Sequence, residues 1–482
     1  MLCEFHLTFI KNKDERMKFN HEEFEENNFS ITRYESMLRS NDVKFFDSDE
    51  FESIIHHYLE NGKIAKAKKA ISLGLSQHPS SVNLKLLQVE VLVFEDRLDK
   101  ADNLLGQLHA LEPENEEIYI QKANILSKQN DHIKAIELLS TALEYTADEA
   151  DIYSLIGMEY LFMDDFENAK VNFMRCLESD NQDYSALYNI IYCFDFLEQH
   201  EEAITYLNMF LDKNPYCEVA WHQVGKQYFD LKDYEKALAA FDFAIISDEY
   251  FIGAYLEKGK VLEKLKRYNE AIENYRITLE LDDPTSFALL RIGKCFEKLG
   301  SDDLAIQHYS KTVHEDPLLD KGWIAITDFY MRKRNYQKAL YYTNKAISID
   351  AENVLYWKRY AKINNRLAFF EEAERGYRKA LELGNYELET WLNRSDILKL
   401  IGESDAAIQN MHQAIEFYPE NAEVQYRLAG LHYEKQEYDK GEFHLRKALD
   451  LDIEYIIVLE ELFERVFNLT LVQNIISEYK AS

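Results

Sequence analysis

Alanine recurs along this chain at a constant interval of 34 residues. Stepping by that interval gives eleven alanines and one glycine, at Ala67, Ala101, Ala135, Ala169, Ala203, Ala237, Ala271, Ala305, Ala339, Ala373, Ala407 and Gly441. Chance does not produce such a run, and a constant period of this length indicates an array of small, similar structural units. We therefore expect a stack of repeats, in which each unit buries its core against its neighbours.

Other residue types keep the same phase. With units numbered from 1 and starting at 48, 82 and so on to 422, position 4 holds all four tryptophans: Trp221, Trp323, Trp357 and Trp391. Position 8 is often glycine or alanine, position 11 is often aromatic, and position 32 holds five of the six prolines. Positions 4, 7, 8 and 11 form one helical stripe, and positions 20, 24 and 27 form another. Each unit is therefore predicted to be a pair of closely packed helices ended by proline.

This order of aromatic, glycine, tyrosine, alanine, phenylalanine and proline resembles the tetratricopeptide repeat (TPR), and the layout is similar to that of long bacterial TPR-only proteins. The resemblance implies an all-α fold, a right-handed TPR superhelix (α-solenoid) of about twelve helix-turn-helix repeats with terminal capping helices. Its concave groove would be lined mainly by the first helix of each unit. We expect an acidic extension and N-cap helix over 1–47, twelve TPR units of 34 residues over 48–455, and capping helices over 456–482.

Composition excludes several classes of partner. The net charge of −32 argues against nucleic acid and anionic membranes as ligands, and no run of 18 apolar residues predicts a membrane span. Five scattered cysteines without a CxxC motif favour reduced thiols and a cytoplasmic protein. Met1 and Met17 both remain possible starts.

Catalytic motifs are missing from the sequence. No phosphate-binding loop, dinucleotide motif, metalloprotease helix or nucleophile elbow occurs, so we expect no enzyme and no cofactor. The best metal candidate, Glu52, His56 and Glu60 on one helix, is interpreted as a solvated face, so no metal is expected. Cys193 and Cys295 fall where small packing residues are expected.

Candidate binding residues lie on a second stripe along the first helix of each unit. This stripe is displaced around the helix by one residue from the buried stripe. Units 4 and 5 are apolar there, ending in Phe196. Units 6 to 10 carry eleven basic and five acidic residues at positions 5, 6, 9, 12 and 13. The predicted groove residues are Leu155, Met158, Tyr188, Tyr192, His222, Lys226, Phe229, Lys260, Arg291, Lys294, Lys358, Arg359 and Lys362.

The functional hypothesis is a scaffold that binds an extended or helical segment of a protein partner with acidic and apolar residues. Two alternatives remain open: the acidic segment 22–29 occupies the groove, or the apolar C-terminal end joins a larger assembly. The chain is expected to be a monomer or a dimer formed through that end. A chaperone-type carboxylate clamp is matched only in part. Lys358, Asn393 and Arg427 fit it, whereas Lys362 and Glu423 depart from it.

Overall fold

The structure is a computed structural model that describes residues 21–40, 44–281 and 285–481. The described residues form α-helices joined by short turns, with no β-strand among them, which confirms the all-α prediction. Twelve consecutive helix pairs follow the 34-residue period, and we call their helices A and B. The A helices are Ser48–Glu60, Val82–Phe94, Glu116–Lys128, Glu149–Phe162, Tyr184–Phe196, Glu218–Asp230, Ile252–Lys264, Ser286–Lys298, Asp320–Arg332, Val354–Arg366, Leu388–Leu400 and Ala422–Glu434.

The B helices complete the twelve repeats. They are Ile64–Gln77, Leu98–Leu111, His132–Ala142, Phe166–Ser179, His200–Lys213, Tyr234–Ser247, Tyr268–Leu281, Asp302–Glu315, Tyr336–Ile349, Phe370–Glu382, Ser404–Phe417 and Tyr438–Leu451. An N-terminal helix, His21–Ser40, precedes them. The chain ends in a 3₁₀-helix, Ile453–Ile456, and three helices, Ile457–Leu462, Glu464–Phe467 and Thr470–Ala481.

The helices group into two compact units. The N-terminal unit, residues 1–231, holds repeats 1 to 5 and helix A of repeat 6. The C-terminal unit, residues 232–482, holds helix B of repeat 6, repeats 7 to 12 and the C-terminal helices.

One residue per repeat ends helix A in the left-handed region. Position 15 of each of the twelve repeats has φ between +56° and +83°. Only three of these residues are glycine (Gly62, Gly300 and Gly402), and the other nine are larger. The turn recurs because the backbone N–H that follows bonds back into helix A, as Asp131 does to the carbonyl of Leu126 at 2.9 Å.

Small residues bring helices A and B together within a repeat. The alanines at position 20 are fully buried. Gly157, at position 8, lies so close to the ring of Phe173, at position 24, that a Cβ atom there would come within 2.8 Å of it. Gly259 has the same relationship with Tyr275, at 2.6 Å. The period therefore reflects a steric requirement, in which a small residue on one helix accommodates an aromatic ring on the other.

The N-terminal helix packs on repeat 1. Tyr34 and Met37 are buried in the first core cluster, and Glu35 accepts a hydrogen bond from Lys66 of helix B at 3.0 Å. The side chains of the acidic segment 22–29 lie outside the described residues, so the proposed occupation of the groove by that segment stays a hypothesis.

Candidate functional site

An aromatic stripe runs along helix A of repeat 5 in the N-terminal unit. It consists of Tyr184, Tyr188, Tyr192 and Phe196, each four residues after the last. At 3.6 residues per turn, residues four apart are rotated by about 40°, so the four rings form one slanting row. Their exposed fractions are 40%, 43%, 52% and 60%. An aromatic row of this exposure is unusual on a soluble helix and marks a surface that is suited to cover by another molecule.

Packing from neighbouring helices holds the stripe in place. The Phe196 ring stacks on Phe166 of repeat 4, with ring centroids 3.9 Å apart, and Tyr192 lies 6.2 Å from the same ring. Burial raises the pKa of Tyr184 to about 12, with Cys217 at the end of repeat 5 and Glu218 at the start of repeat 6 close by. Burial also raises the pKa of Tyr188, so the hydroxyl groups of Tyr184 and Tyr188 stay neutral at physiological pH, and the surface is apolar with polar edges.

The other predicted residues of the N-terminal unit are less open. Leu155 is half-buried and packs against the core of repeats 3 and 4, and Met158 is half-buried beside it in sequence. His222, Lys226 and Phe229 on helix A of repeat 6 are also half-buried, and both ring nitrogens of His222 are shielded from solvent. Lys226 has no carboxylate oxygen within 4.0 Å among the described residues, so its charge is not neutralised locally.

Carboxylates neutralise most of the predicted basic residues in the C-terminal unit. Lys260 pairs with Glu257 at 2.6 Å, and Arg291 pairs with Glu263 at 2.7 Å while contacting the hydroxyl of Tyr275.

Repeat 10 shows the same arrangement. Arg359 forms two hydrogen bonds to Asp328 of repeat 9, at 2.8 and 3.0 Å. Lys358 and Lys362 pair with Glu387 and Glu389, respectively. Most of the basic residues counted in the sequence are thus already neutralised by carboxylates of the same unit. The positive charge that this face can offer to a partner is therefore smaller than the sequence count implies.

Lys294 differs from its basic neighbours. Its side chain reaches solvent, and no carboxylate oxygen lies within 4.0 Å of its amine in the described part of the chain. Partial burial of the amine lowers its pKa, and the nearby charge of Arg291 lowers it further. An anionic group placed here would offset both the burial of the amine and the repulsion by Arg291. Among the predicted basic residues of this unit, Lys294 is therefore the best suited to bind an acidic group.

Two basic residues that fit the carboxylate-clamp pattern in the sequence already form ion pairs within the chain. Arg427 is almost buried and pairs with Asp396 and Glu423. Lys358 is likewise engaged with Glu387. These side chains are therefore not available as the open, basic set that a terminal carboxylate requires.

Most of the apolar C-terminal stretch packs against repeat 12. Leu459, Phe463 and Val466 are buried in the core cluster that contains helix A of that repeat. Tyr455, Ile457 and Leu471 remain exposed, at 43%, 51% and 58%. The stretch thus mainly closes the end of the core.

No reactive site emerges at the other positions considered from sequence. Cys193 and Cys295 are buried, and burial raises the pKa of each thiol to about 12. Glu52 of the expected solvated face accepts hydrogen bonds from Ser48 and Asn83.

Two features of these faces escaped the sequence analysis. Tyr184 was not grouped with the stripe because position 1 was not counted as a binding position, although the spacing of four residues was visible. Glu387 and Glu389 were also left out, because they stand at position 34 of repeat 10 and position 2 of repeat 11. For every described ion pair of these cations except Lys260–Glu257, the signal was a carboxylate 27 to 31 residues away, slightly less than one period.

Several family models match the chain. Models described as tetratricopeptide repeat match residues 92–158, 150–183, 185–215, 256–319 and 401–455. Among curated proteins, the human protein O-mannosyl-transferase TMTC3 is 34% identical over 96 residues, which is 20% of this chain and only 10% of that protein.

Solved structures also resemble parts of the chain. The C-terminal part of a TPR repeat-containing protein from Cytophaga hutchinsonii is 19% identical, with a TM-score of 0.42, over 49% of this chain and 99% of that one. MamA is 19% identical, with a TM-score of 0.31, over 33% of this chain and 94% of its own. A chain of the APC/C hetero-tetramer Cut9–Hcn1 is 15% identical, with a TM-score of 0.32, over 92% and 99%.

The helices that the structure describes include none that is both long and apolar enough to cross a bilayer. Helix pairs, period and family models agree along the array. The chain belongs to the tetratricopeptide repeat family, whose fold generally serves as a non-catalytic scaffold for protein–protein interactions.

Proposed function

We propose that this chain is a non-enzymatic scaffold that binds an extended or helical segment of a partner protein on the A helices of its N-terminal unit. Apolar side chains of the partner pack on the aromatic stripe of repeat 5. An acidic group of the same segment meets Lys226 on the next A helix. The observation that carries the proposal is the row of four exposed aromatic rings on one helix.

The size of the stripe supports this function. Four half-exposed aromatic side chains present roughly 400 Å² of surface, which is the size at which exposed patches on soluble proteins are often functional. Covering them removes apolar surface from water, and tyrosine is among the residues that most often dominate binding energy at interfaces. Because Phe166 already holds Phe196 in a stacked position, little side-chain entropy is lost when a partner binds there.

Charge supplies selectivity in this proposal. Helix A of repeat 5 carries a single charged residue, Asp195, whose carboxylate accepts a hydrogen bond from Gln227 at 2.7 Å. Within the part of the chain that the structure describes, Lys226 on the adjacent helix A has no carboxylate oxygen within 4.0 Å. A partner segment that joins apolar and acidic residues therefore satisfies both surfaces, whereas a basic segment would leave Lys226 facing a like charge. Lys294 offers a second contact for acids in the C-terminal unit.

The test is affinity capture from the native cell, followed by quantitative mass spectrometry. The double variant Y188S/Y192S keeps the backbone and removes two exposed rings, so we expect its fold to be retained, which circular dichroism verifies. The matched control is M209S, on helix B of the same repeat, where Met209 is 63% exposed. We expect the double variant to lose at least about tenfold in captured partner and M209S to lose none. Equal capture by wild type and Y188S/Y192S would rule out the stripe as the binding surface.

A further inference from the structure

Three histidines from three helices converge in the last two repeats. His412 lies on helix B of repeat 11, and His432 and His444 lie on helices A and B of repeat 12. One potential ligand nitrogen from each ring lies within 4.8 Å of the others. His432 and His444 are buried, at 2% and 8% exposure, whereas His412 opens to solvent. The cluster belongs to the C-terminal unit, whereas the aromatic stripe belongs to the N-terminal unit, and the proposed scaffold function makes no use of these histidines.

Two buried polar residues of the last repeat, His432 and Gln425, stand at positions where most repeats carry aromatic or aliphatic residues. His432 stands at position 11, where six of the other eleven repeats carry tyrosine or phenylalanine and four carry leucine. Gln425, which is fully buried, stands at position 4, where other repeats often carry an aromatic residue. Burying polar side chains in place of aromatic ones costs stability unless their hydrogen-bonding groups are satisfied. The last repeat therefore contains a polar set that stacking of the array does not explain.

Hydrogen bonds orient two of the three rings. His432 donates from Nδ1 to the Glu437 carboxylate at 2.9 Å, and His444 donates from Nδ1 to the Gln425 side-chain oxygen at 2.8 Å. Each neutral ring then carries its lone pair on Nε2. The Nε2 atom of His432 is buried and has no hydrogen-bond partner in the structure. A histidine that is oriented through Nδ1 by a carboxylate or carbonyl, with Nε2 open, is the arrangement found at protein metal sites.

We propose that His412, His432 and His444 bind a divalent transition metal of the zinc class. Three imidazoles suit zinc, and a bound ion satisfies the buried Nε2 atom of His432, which nothing else in the described structure does. Glu437 and Gln425 act as the residues that position the two buried ligands. The exposed side of His412 leaves the fourth coordination position to water.

Small movements of the three histidine side chains would bring their nitrogens to the spacing that a zinc ion requires. Nitrogen ligands of a tetrahedral zinc ion lie about 3.4 Å apart, since each bond is close to 2.1 Å long. The three nitrogens therefore move together by up to about 1.4 Å. The exposed His412 side chain is the one with freedom to move, and its ring centroid lies 6.1 Å from that of His432 and 5.7 Å from that of His444. The ring planes of His432 and His444 lie within 3° of each other, so at least one of the two rings must rotate about its Nδ1 hydrogen bond to turn its Nε2 atom toward the same ion.

A single metal ion at this place would join three helices. It would connect helix B of repeat 11 to both helices of repeat 12, next to the C-terminal helices that close the array. The residues are separated by 20 and 12 positions in the sequence and follow no metal-binding motif, which is why sequence reasoning did not find them. The one sequence signal was the histidine at position 11 of repeat 12, where most other repeats carry an aromatic residue or leucine.

The experiment is calorimetric titration of the full, chelator-treated chain with Zn²⁺, with Mg²⁺ as the hard-cation comparison. The variant is H412A, because an exposed ring can be removed without disturbing the core. The matched control is H308A, since His308 occupies in repeat 8 the same repeat position as His444 and its Nδ1 donates to the Leu304 carbonyl at 2.8 Å. A second readout is the melting temperature of each protein with and without Zn²⁺.

We expect wild type and H308A to bind one equivalent of Zn²⁺ tightly, to gain thermal stability from it, and to ignore Mg²⁺. H412A should bind that equivalent at least about tenfold more weakly and lose the thermal gain. The proposal is overturned if wild type takes up no Zn²⁺ at micromolar concentrations. It is also overturned if H412A retains the wild-type affinity and melting shift, since the zinc would then be held by other residues.

Discussion

The ring of Phe463 packs against the backbone of Gly430, so closely that a Cβ atom at residue 430 would lie 2.5 Å from the ring. The Lys399 amine also lies over this ring, 3.6 Å from its centroid, and bonds to the Leu462 carbonyl. The C-terminal helices thus cover helix A of repeat 12, which is buried from Val424 to Tyr433. Glycine at position 9 of the last repeat is what lets the chain close its own end.

Gly430→Ala tests this closure. The added methyl group meets a ring held by packing, so we expect a loss of about 1–3 kcal/mol in the unfolding free energy of the last repeat and faster hydrogen exchange in 453–481. Gly106→Ala is the control, because a Cβ atom there meets nothing within 4 Å. That change should be neutral or stabilise the helix by up to about 1 kcal/mol. Equal unfolding free energies and equal hydrogen-exchange rates for the two variants would contradict the close packing of Phe463 on Gly430.

Arg359 and Asp328 join repeats 9 and 10 through a two-pronged ion pair whose side chains are 28% and 34% exposed. Asp328→Ala should leave a half-buried guanidinium without its acceptors and cost about 1–2 kcal/mol, read as a lower urea midpoint for the C-terminal unit. Lys333→Ala removes a more exposed pair with Asp302 and should cost less than about 1 kcal/mol. A smaller loss for Asp328→Ala than for Lys333→Ala would show that the inter-repeat pair contributes little.

Sequence reasoning succeeded where the fold imposes a steric requirement in every unit. The alanine at position 20 and the small residue at position 8 recur because two helix backbones approach closely there, and the helix pairs follow directly. The left-handed turn at position 15 was not visible, because residues as different as Asp96, Lys232 and Ala368 occupy it. The backbone hydrogen bonds of the turn, rather than its side chain, determine that conformation.

The ion pairs of the predicted basic residues could not be predicted from the sequence. Counting basic residues along one stripe could not reveal which carboxylates of neighbouring repeats reach them. Glu387 and Glu389 lie outside the stripe in sequence yet neutralise Lys358 and Lys362 in space. Charge balance depends on side-chain reach between repeats, which a position count does not contain.

The docking of the N-terminal helix should depend on pH. The hydrogen bond from Lys66 lowers the pKa of Glu35 below its usual value of 4.5. The pair therefore stabilises docking fully above that value and stops doing so as pH falls through the lowered pKa. Both side chains are part-exposed, so the effect is within about 1 kcal/mol.

Hydrogen exchange of residues 30–40, corrected for intrinsic rates, measures this dependence. Glu35→Gln should reduce protection at neutral pH and match wild type in strong acid. Glu114→Gln, at an exposed glutamate of repeat 2, should leave both values unchanged. An identical difference between Glu35→Gln and wild type at both pH values would mean that ionisation of Glu35 is not involved.

The buried thiols should resist alkylation. Cys176, Cys193, Cys217 and Cys295 are buried, and burial raises the pKa of Cys193 to about 12. Burial keeps the reagent away from all four sulfur atoms, so iodoacetamide should label these positions at least about a hundredfold more slowly in native protein than in urea. Peptide mass spectrometry measures each site separately. Rapid native labelling at Cys193 would contradict its packed position.

The central claim is that the aromatic stripe of repeat 5 binds a partner protein. Its most direct measurement places a photo-crosslinking phenylalanine analogue at residue 192, with the same analogue at residue 209 on helix B as the control. After irradiation in the native cell, the account predicts discrete adducts with a partner from residue 192 and none from residue 209. Adducts of equal yield from both residues, or no partner adduct from residue 192, would contradict it.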